Sequence, residues 1–175
     1  MDLTTTYMGL KLKNPIIVGA SPLTASIESI QELESAGAAA VVLHSIFEEQ
    51  INHETHELDH FLFKGSEDYA EALGFFPEVT LSNLESENYL DEIVQLKKSV
   101  RIPIIASLNG VSKGGWIDYA KKLEKAGVDA IELNITYIPT DINLDARDLE
   151  QMYIDALDAV KKSVHIPIAV KMNAV

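Results

Sequence analysis

Five short apolar runs constrain the fold of this chain more than any other feature of its sequence. Each run is rich in Val, Ile and Ala and lacks the polar alternation of a half-exposed strand. This pattern is typical of strands buried on both faces of a parallel sheet. The runs occupy residues 15–20, 39–43, 103–108, 130–133 and 167–171. The chain is therefore predicted to form a parallel sheet from these strands.

Segments with helical periodicity separate the apolar runs. Apolar residues recur at helical spacing over residues 26–36, 89–100, 117–126 and 149–164, which indicates helices with one apolar face. Strand and helix thus alternate along the chain. Right-handed crossovers between parallel strands build either an open doubly wound sheet or a closed barrel, and the alternation alone favours neither.

Two short sequence repeats indicate that the chain is built from equivalent units. The repeated segments are KKSVRIPI at 97–104 with KKSVHIPI at 161–168, and LESAG at 33–37 with LEKAG at 123–127. The second pair ends on Gly37 and Gly127, where the C-cap of a helix needs a left-handed residue. Two helix-to-strand joints are therefore expected to share one construction.

Polar residues follow the apolar runs, at the ends of the predicted strands. They are Ser21, His44, Asn109, Asn134 and Lys171. In parallel barrels, active sites assemble from several strands at this carboxyl-terminal end, so the polar tips favour a barrel over an open sheet. The predicted fold class is therefore α/β, a parallel (β/α)8 TIM-barrel type.

The chain length bounds how much of such a barrel can be present. A barrel of this type has eight strands and typically about 250 residues, whereas this chain has 175 residues. We interpret residues 1–175 as the N-terminal part of a single barrel domain, with the first five strands and four helices.

Residues 46–86 interrupt the alternation with acids, histidines and aromatic residues. Loops of this length in a compact domain are usually functional, so we expect a long rim loop after the second strand. Within it, HELDH at 56–60 satisfies the H-E-x-x-H pattern of zinc metallohydrolases, in which two imidazoles lie one helical turn apart. The stretch is irregular and has no assigned third ligand. A zinc enzyme is therefore the alternative function, and no metal site is assigned.

The composition argues against nucleic acid and membrane as partners. The formal net charge is −13 and the lysines and arginines are scattered, so the chain would repel a phosphate backbone. No apolar run reaches the length of a membrane span, and residues 1–7 have the features of neither a signal nor a transit peptide. The chain has no cysteine, which fits a reducing compartment. We expect a cytoplasmic protein with a small-molecule substrate.

Three segments together resemble the FMN-dependent dihydroorotate dehydrogenase family along the whole chain. They are TTTYMGLKLKNPIIV at 4–18 followed by ASPLT at 20–24, ELNIT at 132–136, and IAVK at 168–171. The resemblance implies an FMN-binding barrel with a small hairpin across its floor. It also implies an oxidoreductase of the CH–CH group that converts dihydroorotate to orotate in pyrimidine biosynthesis. Many members of the family are dimers, so a homodimer is implied as well.

The polar tips offer what a flavin requires. A flavin ring needs small residues against its face, amide groups at its polar edge and a cation near N1. Ala20 and Ser21 suit the first requirement. Asn109 and Asn134, each with two donors and an acceptor, suit the second, and Lys171 suits the third. These residues are the candidate cofactor-binding set, and His44 joins them because the family has a lysine at its position that touches flavin and substrate.

The resemblance weakens where the family contacts its substrate. Thr136 and Tyr137 are the candidate catalytic residues, and Tyr137 stands where the family has the Cys or Ser that takes a proton from substrate. A tyrosine can act as a base only if its high intrinsic pKa is lowered. The Pro-Asn that follows in the family is replaced by IPTD at 138–141, and the substrate-binding asparagine motif by ALGFFP at 72–77. We therefore expect FMN binding with a different or lost substrate, or else an inactive barrel fragment.

Overall fold

The structure is a computed structural model and describes residues 1–47, 84–109, 113–135 and 145–172. In these residues the strands are β1 (Thr5–Tyr7), β2 (Leu10–Leu12), β3 (Ile17–Val18), β4 (Ala40–Phe47), β5 (Ile104–Asn109), β6 (Ala130–Ile135) and β7 (Ile168–Met172). The helices are α1 (Ile27–Ser35), α2 (Leu84–Ser99), α3 (Lys113–Ala126) and α4 (Ala146–Lys161), and a single 3-10 turn spans Pro22–Thr24. None of these helices is both long enough and apolar enough to cross a membrane.

Strands β3 to β7 form one sheet, in which the order in space is the order in the chain. Every neighbouring pair is parallel, so each connection must cross over the sheet. Within the described residues, each connection contains an α-helix. The sheet curls with the helices on its outer side, which makes a half-barrel. The predicted α/β fold of parallel barrel type is confirmed.

The outer face of the sheet carries the larger hydrophobic core. Val41, Ile104 and Leu133 are fully buried there, in one cluster with Ile93 of α2 and Leu123 of α3. Full burial of one such side chain stabilises the fold by about 1.5–3 kcal/mol. The helices therefore pack on the sheet because this contact buries their apolar faces.

The lower half of the inner face is also apolar, and the N-terminal hairpin closes it. Ile105 and Ala130 point inward and form a second buried cluster with Leu12 of β2. The hairpin turn consists of Met8 and Gly9, whose φ angles of 51° and 80° are both positive, as the twist of a two-residue hairpin requires. The hairpin lies at the floor of the half-barrel, as the family resemblance implies.

The two sequence repeats contact each other in the fold: the glutamate of each LE-x-AG segment binds the backbone of one KKSV joint. Glu34 lies in the first copy of LE-x-AG, and its Oε1 accepts a hydrogen bond of 2.9 Å from the backbone N–H of Arg101 in the first copy of the KKSV joint. In the second copies, Glu124 Oε1 accepts from the N–H groups of His165 and Ile166, at 2.7 and 3.3 Å. Each repeated glutamate therefore fixes the joint that leads into the second strand after its own helix, β5 for Glu34 and β7 for Glu124.

The glycines of the LE-x-AG repeat end their helices as predicted. Gly37 and Gly127 have φ angles of 110° and 94°, the left-handed region that a side chain rarely adopts. The residues that follow them donate backward, Ala38 N–H to the carbonyl of Leu33 at 3.0 Å among them. The helix end therefore turns sharply into the next strand.

Some element boundaries differ from the sequence expectation. Strand β4 includes Ile46 and Phe47, which were assigned to the rim loop, because both continue the pairing with β5 opposite Leu108 and Asn109. Helix α2 begins at Leu84 and α3 at Lys113, earlier than the apolar spacing indicates, since that spacing marks only the packed turns of a helix. The rest of the rim loop, 48–83, lies outside the described residues.

Removing the repeated carboxylate should weaken the fold. In Glu124→Ala, two backbone N–H groups at the α4-to-β7 joint lose their charged acceptor, and we expect the free energy of unfolding to fall by about 1.5–3 kcal/mol. Asp118→Ala on the exposed side of the same helix is the matched control, with an expected change within about 0.5 kcal/mol. Urea unfolding of the variants measures both values. Equal losses in the two variants would refute the role assigned to Glu124.

Candidate functional site

The inner face changes from apolar to polar toward the carboxyl ends of the strands. Residues two apart in a strand share a face, so Ser107 and Asn109 follow Ile105 on β5, and Glu132 follows Ala130 on β6. Ser107 pairs with Glu132 across the two strands. The floor of the half-barrel is thus dry, and its rim presents hydroxyl, amide and carboxylate groups.

Three predicted cofactor-binding residues come together on this rim. Asn109 ends β5, Asn134 lies one residue before the end of β6, and Lys171 lies one residue before the end of β7. Asn134 and Lys171 are opposite each other in the register of β6 and β7. The two asparagines are half-buried and Lys171 is exposed. The structure therefore gathers two amides and a cation at one end of three adjacent strands.

Ala20 and Ser21 lie in the turn that follows β3, at the same end of the sheet. Ala20 is half-buried against the inner cluster of the floor. The Oγ1 of Thr24 donates to the carbonyl oxygen of Ser21 at 2.9 Å, and Thr24 is itself almost fully buried. A buried hydroxyl thus fixes the backbone of the segment that the sequence assigned to the ring face of a flavin.

A β-bulge in β4 decides which of its side chains reaches the inner face. The register with β5 shifts between Val42 and Ser45, so that two residues of β4 stand against one of β5. Ser45 thereby takes an inner position, and its Oγ lies 2.8 Å from the Oγ of the fully buried Ser107. Bulges of this kind commonly redirect side chains near functional sites.

The bulge turns His44 toward the helices. Its ring meets the ring of Tyr89 on α2 edge to face, with centroids 5.0 Å apart, and the Tyr89 hydroxyl donates to the His44 carbonyl oxygen at 3.0 Å. His44 Nδ1 is buried and has no hydrogen-bond partner among the described residues. The cavity beside it measures about 20 Å³, which is room for about one water molecule. The structure therefore does not bring His44 together with Asn109, Asn134 and Lys171.

Lys171 is paired with a carboxylate of the neighbouring strand β6. Its Nζ lies 4.0 Å from Oε1 of Glu132, whose side chain is 19% exposed while that of Lys171 is 54% exposed. Lys171 is the only lysine or arginine in the five strands of the described sheet. Glu132 is thus the acid that lies next to the ammonium group of Lys171 at this rim.

Glu132, Ser107 and Ser45 are site residues that the sequence reasoning missed. Two of them were visible as polar residues two positions before the tip, in Ser107-Leu108-Asn109 and Glu132-Leu133-Asn134. A period of two within an apolar run places both polar residues on one face. Ser45 carried no such signal, because its inward position depends on the bulge.

The candidate catalytic residues Thr136 and Tyr137 lie outside the described residues. Strand β6 ends at Ile135, directly before them, so the reading of Tyr137 as a replaced base stays a prediction. The HELDH segment at 56–60 also lies outside. Among residues 1–47, 84–109, 113–135 and 145–172, no group of three His, Asp or Glu side chains could hold a metal ion.

Fold and rim together define the class of this protein: a chain of parallel (β/α)-barrel type with a polar rim at the carboxyl ends of its strands. Solved structures agree on the fold. A variant of NCR from Zymomonas mobilis matches with a TM-score of 0.61 at 14% identity, over 97% of this chain and 57% of that one. A putative dihydrodipicolinate synthetase from Pseudomonas aeruginosa matches with a TM-score of 0.52 at 16% identity, over 89% and 44%. At these identities the likeness shows the fold alone.

The chain is similar in sequence to dihydroorotate dehydrogenases over 98% of its length, as its opening segment indicates. It is 31% identical to the catalytic subunit of dihydroorotate dehydrogenase B (NAD(+)) from Thermoplasma volcanium, over 98% of this chain and 54% of that protein. The same subunit from Methanosarcina mazei is 30% identical, over 98% and 52%. The NAD-dependent dihydropyrimidine dehydrogenase subunit PreA of Escherichia coli is 26% identical, over 98% and 42%. The chain thus spans about half the length of these relatives or less, and no protein-family model matches it.

The buried Tyr89 should make the fold sensitive to alkaline pH. Burial, and next to it the charge of Glu92, raises the pKa of the Tyr89 hydroxyl well above its usual value of 10.0. The folded chain then binds more protons than the unfolded chain above about pH 10, so the free energy of unfolding falls as the pH rises. The expected slope from this residue is up to about 1.4 kcal/mol per pH unit.

Urea unfolding at pH values from about 9 to about 11 tests this dependence. Tyr89→Phe should lose that part of the slope, because the variant has no hydroxyl to titrate. Ile93→Val, which loosens the same cluster without removing a hydroxyl, should keep the wild-type slope. An unchanged slope in Tyr89→Phe would contradict the assignment.

Proposed function

We propose that this chain supplies rim residues of an FMN site in an oxidoreductase of dihydroorotate dehydrogenase type. One observation carries the proposal: Asn109, Asn134 and Lys171 lie at the same end, and on the same face, of three adjacent parallel strands. Active sites of parallel barrels are assembled at this end. The likeness of the chain to dihydroorotate dehydrogenases over 98% of its length supports the same reading.

The chemistry of these side chains fits a flavin ring. Each asparagine offers two N–H donors and one acceptor to the polar edge of the ring. Lys171 offers the positive charge that favours a reduced, anionic ring. Ala20 and Ser21 offer small side chains on a backbone that Thr24 holds in place.

Bound FMN would supply hydride transfer, which amino-acid side chains do not perform by themselves. The chain's own residues contribute binding and electrostatics. The amides of Asn109 and Asn134 orient the ligand, and the charge of Lys171 attracts negative charge at the rim. Beneath them, the buried Ile105 and Ala130 close the floor with apolar side chains.

We propose that the substrate is a small molecule other than dihydroorotate. Tyr137 replaces the family's Cys or Ser base, and IPTD at 138–141 replaces the Pro-Asn that follows it. The relatives include a dihydropyrimidine dehydrogenase subunit beside the dihydroorotate dehydrogenases, which supports a reduced pyrimidine or a ring of similar size. The family resemblance further supports a cytoplasmic homodimer, and the charge of −13 argues against a nucleic-acid partner.

Flavin binding tests the proposal directly. The protein is expressed at the full length that its gene encodes and titrated with FMN, with flavin fluorescence as the readout. Lys171→Met should weaken binding about tenfold, which corresponds to about 1.4 kcal/mol. Lys162→Met, at a lysine of similar type that is exposed at the end of α4, should bind as the wild type does. Absence of FMN binding in the wild type would overturn the proposal.

Dihydroorotate tests the substrate part separately. Added without oxygen to the flavin-loaded protein, it should bleach the flavin slowly, because no efficient proton acceptor is in place. A well-placed general base contributes about 10²–10⁴-fold, so Tyr137→Ser should raise the bleaching rate by at least about tenfold. Rapid bleaching of the wild type at neutral pH would show that dihydroorotate is the substrate after all.

A further inference from the structure

We propose that Glu132 is a positioning residue, whose carboxylate holds the Lys171 ammonium over the inner rim of the half-barrel. The two charged groups are separated by 4.0 Å between Lys171 Nζ and Glu132 Oε1. The role of the ammonium toward a ligand rests on the proposed function. The ion pair belongs to the chain alone and can be tested without a ligand.

The pair runs diagonally across two neighbouring strands. Lys171 on β7 stands opposite Asn134 on β6, whereas Glu132 stands opposite Ala169. Glu132 and Asn134 are two apart on one strand and share its inner face. The Glu132 side chain therefore starts one layer below the ammonium and reaches up to it, past the small side chain of Ala169.

Glu132 is the more buried partner of the pair, and Lys171 is the more exposed one. Glu132 is opposite the fully buried Ser107 and directly above the dry floor at Ala130. Only 19% of its side chain is exposed, against 54% for Lys171. A carboxylate that has lost much of its water needs a compensating charge, and Lys171 is the only lysine or arginine in the described strands β3 to β7.

Glu132 would change the positive potential at a bound flavin in two opposing ways. As a negative charge, it lowers the positive potential at the rim. As a positioning group, it restrains the four-carbon stem of Lys171, which is otherwise free to turn into solvent, and so keeps the ammonium where the ring would meet it. The second effect exceeds the first.

The ion pair is tested first on the protein without flavin. Carbon-13 relaxation at the Lys171 side chain gives its order parameter in the wild type, in Glu132→Gln and in Glu132→Asp. We expect the order parameter to fall in both variants, because Gln has no charge and Asp is one methylene too short to reach. Asp158→Asn removes the carboxylate of an exposed pair, Asp158 to Lys162 at 3.5 Å, and should leave Lys171 unchanged. An equally ordered Lys171 in all variants would overturn the proposal.

The role toward the ligand is tested by a double-mutant cycle of Glu132→Gln and Lys171→Met. The readout is the affinity of the bound, oxidised flavin for sulfite, whose anionic adduct reports positive charge near the ring. With Lys171 present, Glu132→Gln should lower sulfite affinity about tenfold. With Lys171→Met, the same change should raise it or leave it unaltered, because only the charge effect remains.

Two outcomes separate this inference from the proposed function. If Glu132→Gln raises sulfite affinity equally in both backgrounds, Glu132 acts only as a charge, and the positioning role is refuted while the flavin site stands. If no variant binds flavin, the proposed function fails, and the order parameter of Lys171 alone then decides whether Glu132 holds the ammonium.

Discussion

The structure depends on one constraint: a parallel strand has two faces, and both must be covered. The helices cover the outer face, since every crossover between parallel strands brings one helix back over the sheet. The inner face is covered at its floor by the hairpin, which packs Leu12 against Ile105 and Ala130. At the rim, the residues that the structure describes build no apolar cover, and serine, asparagine, glutamate and lysine take the inner positions. The border between the apolar floor and the polar rim thus separates residues that stabilise the fold from the candidate site residues.

The joints between helices and strands show how the sequence repeats serve this architecture. Glu34 and Glu124 are equivalent residues of two helices, and each accepts hydrogen bonds from the backbone of a distant joint. A carboxylate that binds free N–H groups at the start of a strand replaces the partners which those groups lack. The repeats therefore reflect one geometric solution used twice at the floor of the half-barrel, on the side opposite the polar rim.

The bulge in β4 changes which side chains of that strand reach the candidate site. One extra residue redirects His44 to Tyr89 and brings Ser45 to Ser107. The family resemblance aligns His44 with a residue that contacts flavin, yet an alignment records order along the chain and not the direction of a side chain. The likeness to dihydroorotate dehydrogenases therefore supports the fold, whereas the direction of each side chain comes from the structure.

The sequence by itself determined the parallel sheet, the alternation of strand and helix, the glycine helix ends and the rim residues Asn109, Asn134 and Lys171. These follow from local patterns, namely buried runs, helical spacing and the residues directly after each strand. Only the tertiary structure decided that Glu34 and Glu124 bind remote joints, that Glu132 pairs with Lys171, and that His44 leaves the rim. Those features depend on the register between strands, and register is set by how the whole sheet packs.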